Sequence, residues 1–145
     1  VSNIAANFAV DHLLSEATVE FVRTENGKRL LKAYQTLGGM LHDRKIPFIQ
    51  ANAGMFVFAR LCTGPDIITE GKFNQLLRKH GVSLATGTSY HFRTEIGWYR
   101  ICYSVPPEVL EEAFTRIDGC IREFEAMQDY GLEKNTNGDQ VEIGQ

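Results

Sequence analysis

Little in this 145-residue chain calls for cross-links, membranes or polyanions. Its three cysteines, Cys62, Cys102 and Cys120, are odd in number, widely spaced and without a Cys-x-x-Cys pair. That pattern argues against a disulfide framework or a zinc site and fits a reducing, cytoplasmic compartment. The longest apolar runs, such as Met55 to Ala59, fall far short of the ~20 residues a membrane helix needs, and no charged-then-apolar signal segment opens the chain. A formal charge of -3, a pI near 5.8 and the want of any Lys/Arg cluster argue against nucleic acid as a partner. There is no repeat and no low-complexity core segment.

What is present suits one domain. The chain is 43% hydrophobic and 23% charged, enough for one core and too short for a second complete domain. It begins inside what reads as a helix, with Ile4, Phe8, Leu13 and Leu14 apolar and no entry cap, so it is expected to be a piece of something longer. Ser15 and Glu16 then supply an N-cap and a first-turn acid. Leu30, Tyr34, Leu37 and Leu41 recur at helical steps on a long helix ending near Lys45. Asn26-Gly27 and Gly38-Gly39 weaken it by about 1 kcal/mol per glycine, which predicts a kink or break near Asn26.

Pro47 forces an extended chain into a short strand, Phe48-Ile49-Gln50. After a turn at Asn52-Ala53-Gly54, Met55 to Leu61 reads as a second strand, internal to a sheet and paired with the first as a hairpin. Phe73, Leu76, Leu77 and His80 trace a helical stripe that Gly81 ends. Val82-Ser83-Leu84 is predicted as a strand, and Thr86 to Ile96 as a loop of the kind that binds ligands. A further strand spans Trp98 to Tyr103. Behind Ser104 and Pro106-Pro107, Leu110, Phe114, Ile117, Ile121 and Phe124 stripe the last helix. From about Gln128 hydrophobes are too few to offset ordering entropy, so a disordered tail, 128–145, is expected. The element order predicts an α+β sandwich, with helices covering a small mixed or antiparallel sheet.

Arg100 is the residue that needs explaining. A guanidinium keeps its charge and presents a planar fork of donors, so its place in the middle of a strand makes sense if a carboxylate or phosphate docks there. We read it as a substrate-carboxylate clamp, with Trp98 and Cys102 sharing its face of the strand. The structural alternative is a salt bridge to a local acid such as Glu95. Ser89, His91 and Arg93 are candidates to line a site, against the plainer reading of solvated loop residues. Phe48, Phe56, Phe58 and Phe73 are assigned to the core, and Cys102 and Cys120 read as packed thiols.

Three stretches carry a resemblance. Asn52-Ala53-Gly54-Met55-Phe56, then Gly81-Val82 leading into Thr86-Gly87-Thr88-Ser89-Tyr90-His91, then Gly97-Trp98-Tyr99-Arg100-Ile101-Cys102-Tyr103 followed by Leu110 to Ile117, occur in the order and spacing of fold-type I pyridoxal-phosphate enzymes. Over roughly Val1 to Met127 the chain resembles the C-terminal small domain of class I/II aminotransferases, in particular 1-aminocyclopropane-1-carboxylate synthases and their fungal relatives. The resemblance implies a helix at 1–15 belonging to a large cofactor-binding domain upstream, a small domain over 16–127 that includes the long connecting helix, and a cytoplasmic homo-oligomer, such as a dimer, acting on an amino-acid substrate. It also implies that Arg100, in the Gly-Trp-Tyr-Arg strand, grips the substrate's α-carboxylate, with Ser89, His91 and Trp98 near it.

The departures from that pattern matter equally. None of Lys28, Lys32, Lys45, Lys72, Lys79 or Lys134 stands in a Ser-x-x-Lys or Ser-Lys context, so none is assigned as the Schiff-base lysine. Catalytic residues and metal ligands are not expected in this chain, and pyridoxal phosphate is not expected to be held covalently by it. Transamination and a lyase-type cyclisation both remain open. From a different class, the alternative is a non-catalytic, truncated module that binds a partner or a small carboxylate.

Overall fold

A computed structural model describes residues 3–92 and 95–136, with side chains described up to Gln128. Helix α1 (Asn3–Phe8) runs into a π-helical turn, Ala9–Leu13, and Ser15 then caps α2 (Glu16–Phe21), its Oγ accepting the Thr18 N–H at 3.3 Å. A second π-helical turn, Val22–Asn26, joins α2 to α3 (Gly27–Asp43). The weak point near Asn26 is therefore a local widening rather than a break: the extra residue per turn rotates the apolar face while Gly27 keeps helical dihedrals. Residues 3–26 bury no side chain, and Ile4, Phe8, Leu13 and Leu14 all stand exposed. Only along α3 does the helix meet the core, through Leu37 and Leu41, with Leu30 and Tyr34 packed beside them.

Strands β1 (Phe48–Ile49), β2 (Phe56–Arg60), β3 (Ala85–Thr86) and β4 (Trp98–Cys102) form one antiparallel sheet in the order β1-β2-β4-β3. Helix α4 (Ile67–Lys79) connects β2 to β3, and α5 (Pro107–Thr136) follows β4. The predicted strand at Val82–Leu84 is displaced to Ala85–Thr86. The Val82 N–H closes the end of α4 on the Leu77 carbonyl at 2.8 Å and its side chain joins the core, which leaves Ala85 and Thr86 to pair with Arg100 and Tyr99. The segment expected as a tail from about Gln128 begins as helical backbone, α5 running on to Thr136. Extending a formed helix adds one hydrogen bond for each residue ordered, which carries α5 through Gly131 and Asn135 despite their low helix propensity. Residues 137–145, the rest of the expected tail, lie outside the described residues.

The sheet has two unlike faces because side chains alternate along each strand. Val57, Ala59, Tyr99 and Ile101 point into a core closed by Leu37 and Leu41 of α3, Phe73 and Leu77 of α4, and Phe114, Ile117 and Cys120 of α5. Phe73 lies at its centre, edge-on to Phe124 at 5.1 Å and tilted against Tyr99 at 5.6 Å. The opposite face carries Phe56, Phe58, Arg60, Trp98, Arg100 and Cys102, all half-buried or exposed. Among the described residues no α-helix packs there, so Arg100 faces away from the core.

Candidate functional site

Arg100 lies at the centre of β4, between Phe58 of β2 and Ala85 of β3 in the ladder. Its guanidinium carbon is 4.3 Å from the ring centre of Phe56, the diagonal neighbour on β2, and 4.8 Å from that of Tyr90. The two rings hold the cation through their π faces and take up none of its N–H donors in conventional hydrogen bonds. Among the described residues no carboxylate pairs with it. The alternative partner, Glu95, is engaged elsewhere: it accepts the Trp98 Nε1–H at 3.1 Å and lies 3.8 Å from Arg60 Nη1. The result is a half-buried charge, fixed in place, whose planar fork is available to an incoming anion.

Tyr90 reaches this position from a one-turn 3-10 helix, Gly87–Tyr90, which packs directly on the start of β4: a Cβ on Gly87 would stand 2.8 Å from the Trp98 Cβ. Tyr90 in turn meets Phe58 edge-on at 5.4 Å, while Phe92 stacks on Phe58 at 4.9 Å and approaches Trp98 at 5.8 Å. The chain re-enters the sheet through Gly97, at φ +86° and with its Cα hydrogen aimed at the Cys62 carbonyl. Only glycine allows that approach.

Beneath this loop lies a group that the sequence reading passed over. Glu70 of α4 is 2% exposed, and its carboxylate accepts the Thr88 hydroxyl at 2.8 Å and the Gly97 N–H at 2.9 Å. Its own carbonyl accepts the buried Tyr99 hydroxyl at 3.3 Å. A signal for it existed: Glu70 falls three residues before Phe73 and seven before Leu77, on the apolar stripe itself, where an acid is costly unless partnered.

The other predicted positions disperse. Trp98 shares the face of Arg100. Ser89 is exposed and hydrogen-bonded to Thr86 at 3.1 Å. His91 is exposed in the left-handed region at φ +65°, ending the turn. The member of that turn that contacts Arg100 is Tyr90. Arg93 lies outside the described residues. Phe73 belongs to the core as assigned and Phe48 packs against it, but Phe56 and Phe58 do not: both belong to the open face, because the register pairs them with Cys102 and Arg100 rather than with core-facing residues. The buried thiols are inert by position, burial pushing Cys62 up to about 12 and Cys120 up to about 11. Among the described residues no His/Cys/Asp/Glu cluster could hold a metal, and no helix is long and apolar enough to cross a membrane.

Comparison with known proteins places this geometry. The family model described as "Aminotransferase class I and II" matches residues 1–117. A probable aminotransferase, tcpI of Claviceps purpurea, is 35% identical over 124 residues, covering 85% of this chain and 29% of the relative. A 1-aminocyclopropane-1-carboxylate synthase of Glycine max is 31% identical over 90 residues, covering 59% of this chain and 18% of the relative. In structure, an aromatic aminotransferase of Pyrococcus horikoshii superposes with a TM-score of 0.62 at 23% identity, over 78% of this chain and 29% of that one. The chain thus spans less than a third of the length of these relatives, and its helix-backed antiparallel sheet has the fold of that aminotransferase over the aligned part. With the family model covering most of its length, this chain belongs to the class I and II aminotransferase family.

Proposed function

We propose that this chain supplies the substrate-carboxylate grip of a pyridoxal-phosphate-dependent enzyme that acts on amino acids. One observation carries the reading: Arg100 is held half-buried on the open face of the sheet, braced by Phe56 and Tyr90, without a carboxylate partner among the described residues. A fixed arginine binds a carboxylate through two parallel charge-assisted hydrogen bonds and thereby sets the orientation of the attached Cα. The half-apolar wall of Phe58, Trp98 and the two bracing rings strengthens that contact by excluding water.

Family members generally depend on pyridoxal phosphate, which when bound supplies an electron sink for the amino-acid Cα. The lysines whose side chains are described do not fit the covalent anchoring of that group. Lys28 and Lys79 are paired with Glu25 and Glu123, the Lys32, Lys45 and Lys72 side chains stand exposed, and neither the strands nor the 86–97 loop contains a lysine. The chain's own part is to bind and orient the substrate, and we assign the choice between transamination and a lyase-type outcome to residues outside it. The apolar side chains exposed along residues 4–22, from Ile4 to Val22, are assigned in this reading to contact with a large domain of the same protein or with a second copy.

The test is Arg100→Ala in the complete holoenzyme. Losing a charged bidentate contact is expected to lower kcat/KM for amino-acid substrates by on the order of 100-fold, about 3 kcal/mol. Arg100→Lys should restore only part of it, because an ammonium lacks the planar fork. Unchanged kcat/KM in Arg100→Ala would overturn the assignment.

A further inference from the structure

A carboxylate buried to 2% exposure, with no cation paired to it among the described residues, demands a purpose, because such a group is costly unless its hydrogen bonds are placed well. Glu70 has its two bonds on opposite ends of one loop. Through Thr88 it holds the 3-10 turn that carries Tyr90; through the Gly97 N–H it holds the entry to β4, three residues before Arg100. The Thr88 hydroxyl is also bonded to Thr86 at 2.9 Å, which ties the turn to β3 beside Arg100. Both walls of the Arg100 site on this side, the ring above the guanidinium and the strand beneath it, therefore refer back to one carboxylate on α4.

We propose that Glu70 is a positioning residue for substrate binding: it staples Thr88 to Gly97 and so keeps Tyr90 over Arg100, fixing the direction in which the guanidinium fork presents itself to the substrate carboxylate. The functional half of this inference rests on the Arg100 reading above. The structural half, that Glu70 sets the Tyr90–Arg100 contact, does not.

The experiment is a double-mutant cycle in the complete holoenzyme, assayed with whichever proteinogenic L-amino acid the wild type turns over fastest. Glu70→Ala is expected to raise KM about tenfold while kcat changes by less than about twofold. Glu70→Gln should return KM to within about twofold of wild type, since its amide oxygen still accepts from Gly97 N–H and its NH2 group can donate to Thr88 Oγ1. Glu70→Ala combined with Arg100→Ala should bind no worse than Arg100→Ala alone, because residues acting through one contact are non-additive. A full additional tenfold loss in the double variant would overturn the positioning role while leaving the Arg100 clamp standing. Thr88→Val, which removes one hydroxyl and keeps the core intact, should raise KM about threefold; it replaces Glu70→Ala in the cycle should that protein fail to fold, and an unchanged KM in it would then count against the proposal.

The same variants are read a second way, by the Arg100 Nε–H resonance in protein labelled with nitrogen-15, which the currents of the Phe56 and Tyr90 rings move from its free-arginine position. Glu70→Ala and Thr88→Val should return it toward that position, and Glu70→Gln should not. If Arg100→Ala leaves catalysis untouched, or no amino acid is turned over, the clamp reading fails, yet this resonance still decides on Glu70. An unmoved signal in Glu70→Ala overturns the inference outright.

Discussion

Two glycines in this chain share a positive φ and differ in surroundings, which makes them a controlled experiment. Gly54 has φ +85° and open space where a Cβ would go; Gly97 has φ +86° and would drive its Cβ into the Cys62 carbonyl oxygen. Substituting alanine costs both the left-handed penalty, about 1–2 kcal/mol. For Gly54 that is the whole cost. For Gly97 the Leu61–Cys62 backbone must withdraw by more than an ångström, which strips the 2.9 Å bond from Leu61 N–H to Gly97 O and disturbs the 2.9 Å bond from Gly97 N–H to Glu70. Each buried polar group left unpaired adds about 1–3 kcal/mol. Gly97→Ala should therefore cost about 4 kcal/mol or more, a large fraction of the stability of a typical domain. Urea unfolding followed by far-ultraviolet circular dichroism measures both variants, and a difference below about 0.5 kcal/mol between them would refute the reasoning.

Three further outcomes follow from the packing and the titrating groups. Phe73→Ala, at the centre of the core between Tyr99 and Phe124, should cost about 3–5 kcal/mol in the same unfolding assay, and a cost under about 1 kcal/mol would show that the core is not organised around it. Iodoacetamide at mildly alkaline pH should label half-exposed Cys102 first and leave Cys62 and Cys120 unmodified until unfolding, as peptide mass spectrometry would show. Because burial holds those two thiols at about 12 and about 11 against about 8.5 when unfolded, the folded state keeps protons that the unfolded state releases; stability is full below the unfolded value and falls as pH rises through the folded ones. Replacing both with alanine should make that alkaline limb shallower, leaving the part that comes from Tyr99 and Tyr103, whose hydroxyls burial also pushes up. At the acid end, Asp66 caps α4 and its carboxyl is held below the usual range by the Thr69 N–H and hydroxyl, so its contribution is present above the ordinary carboxylate pKa and is lost as pH falls through the lowered one. Asp66→Asn should remove this acid dependence while retaining the cap, and an unaltered acid limb would argue against it.

Periodicity alone located the core-facing residues of α3, α4 and α5, because a helix buried on one side must repeat its apolar residues near 3.6. The β1–β2 hairpin and the strand carrying Arg100 were equally legible, since turn residues and alternating large side chains are local signals. The family, too, was readable from three short stretches in order. What the sequence could not specify was which neighbours those elements would acquire. Val82 reads as strand by composition, yet a helix-closing hydrogen bond and a place in the core claim it first. Phe56 reads as core until the antiparallel register sets it opposite Cys102 on the open face, where it braces Arg100.

Glu70 shows the limit most plainly. Its position on the α4 stripe is written in the chain, but its partners, Thr88 and Gly97, lie 18 and 27 residues away and meet it only when α4 packs under the loop. Local sequence determined the long helices, the β1–β2 hairpin and the strand on which one arginine would sit, because those follow from dihedral preference and burial of one face. The tertiary structure alone decided what surrounds that arginine, because hydrogen-bond geometry and ring contact depend on distances between segments that no single segment encodes.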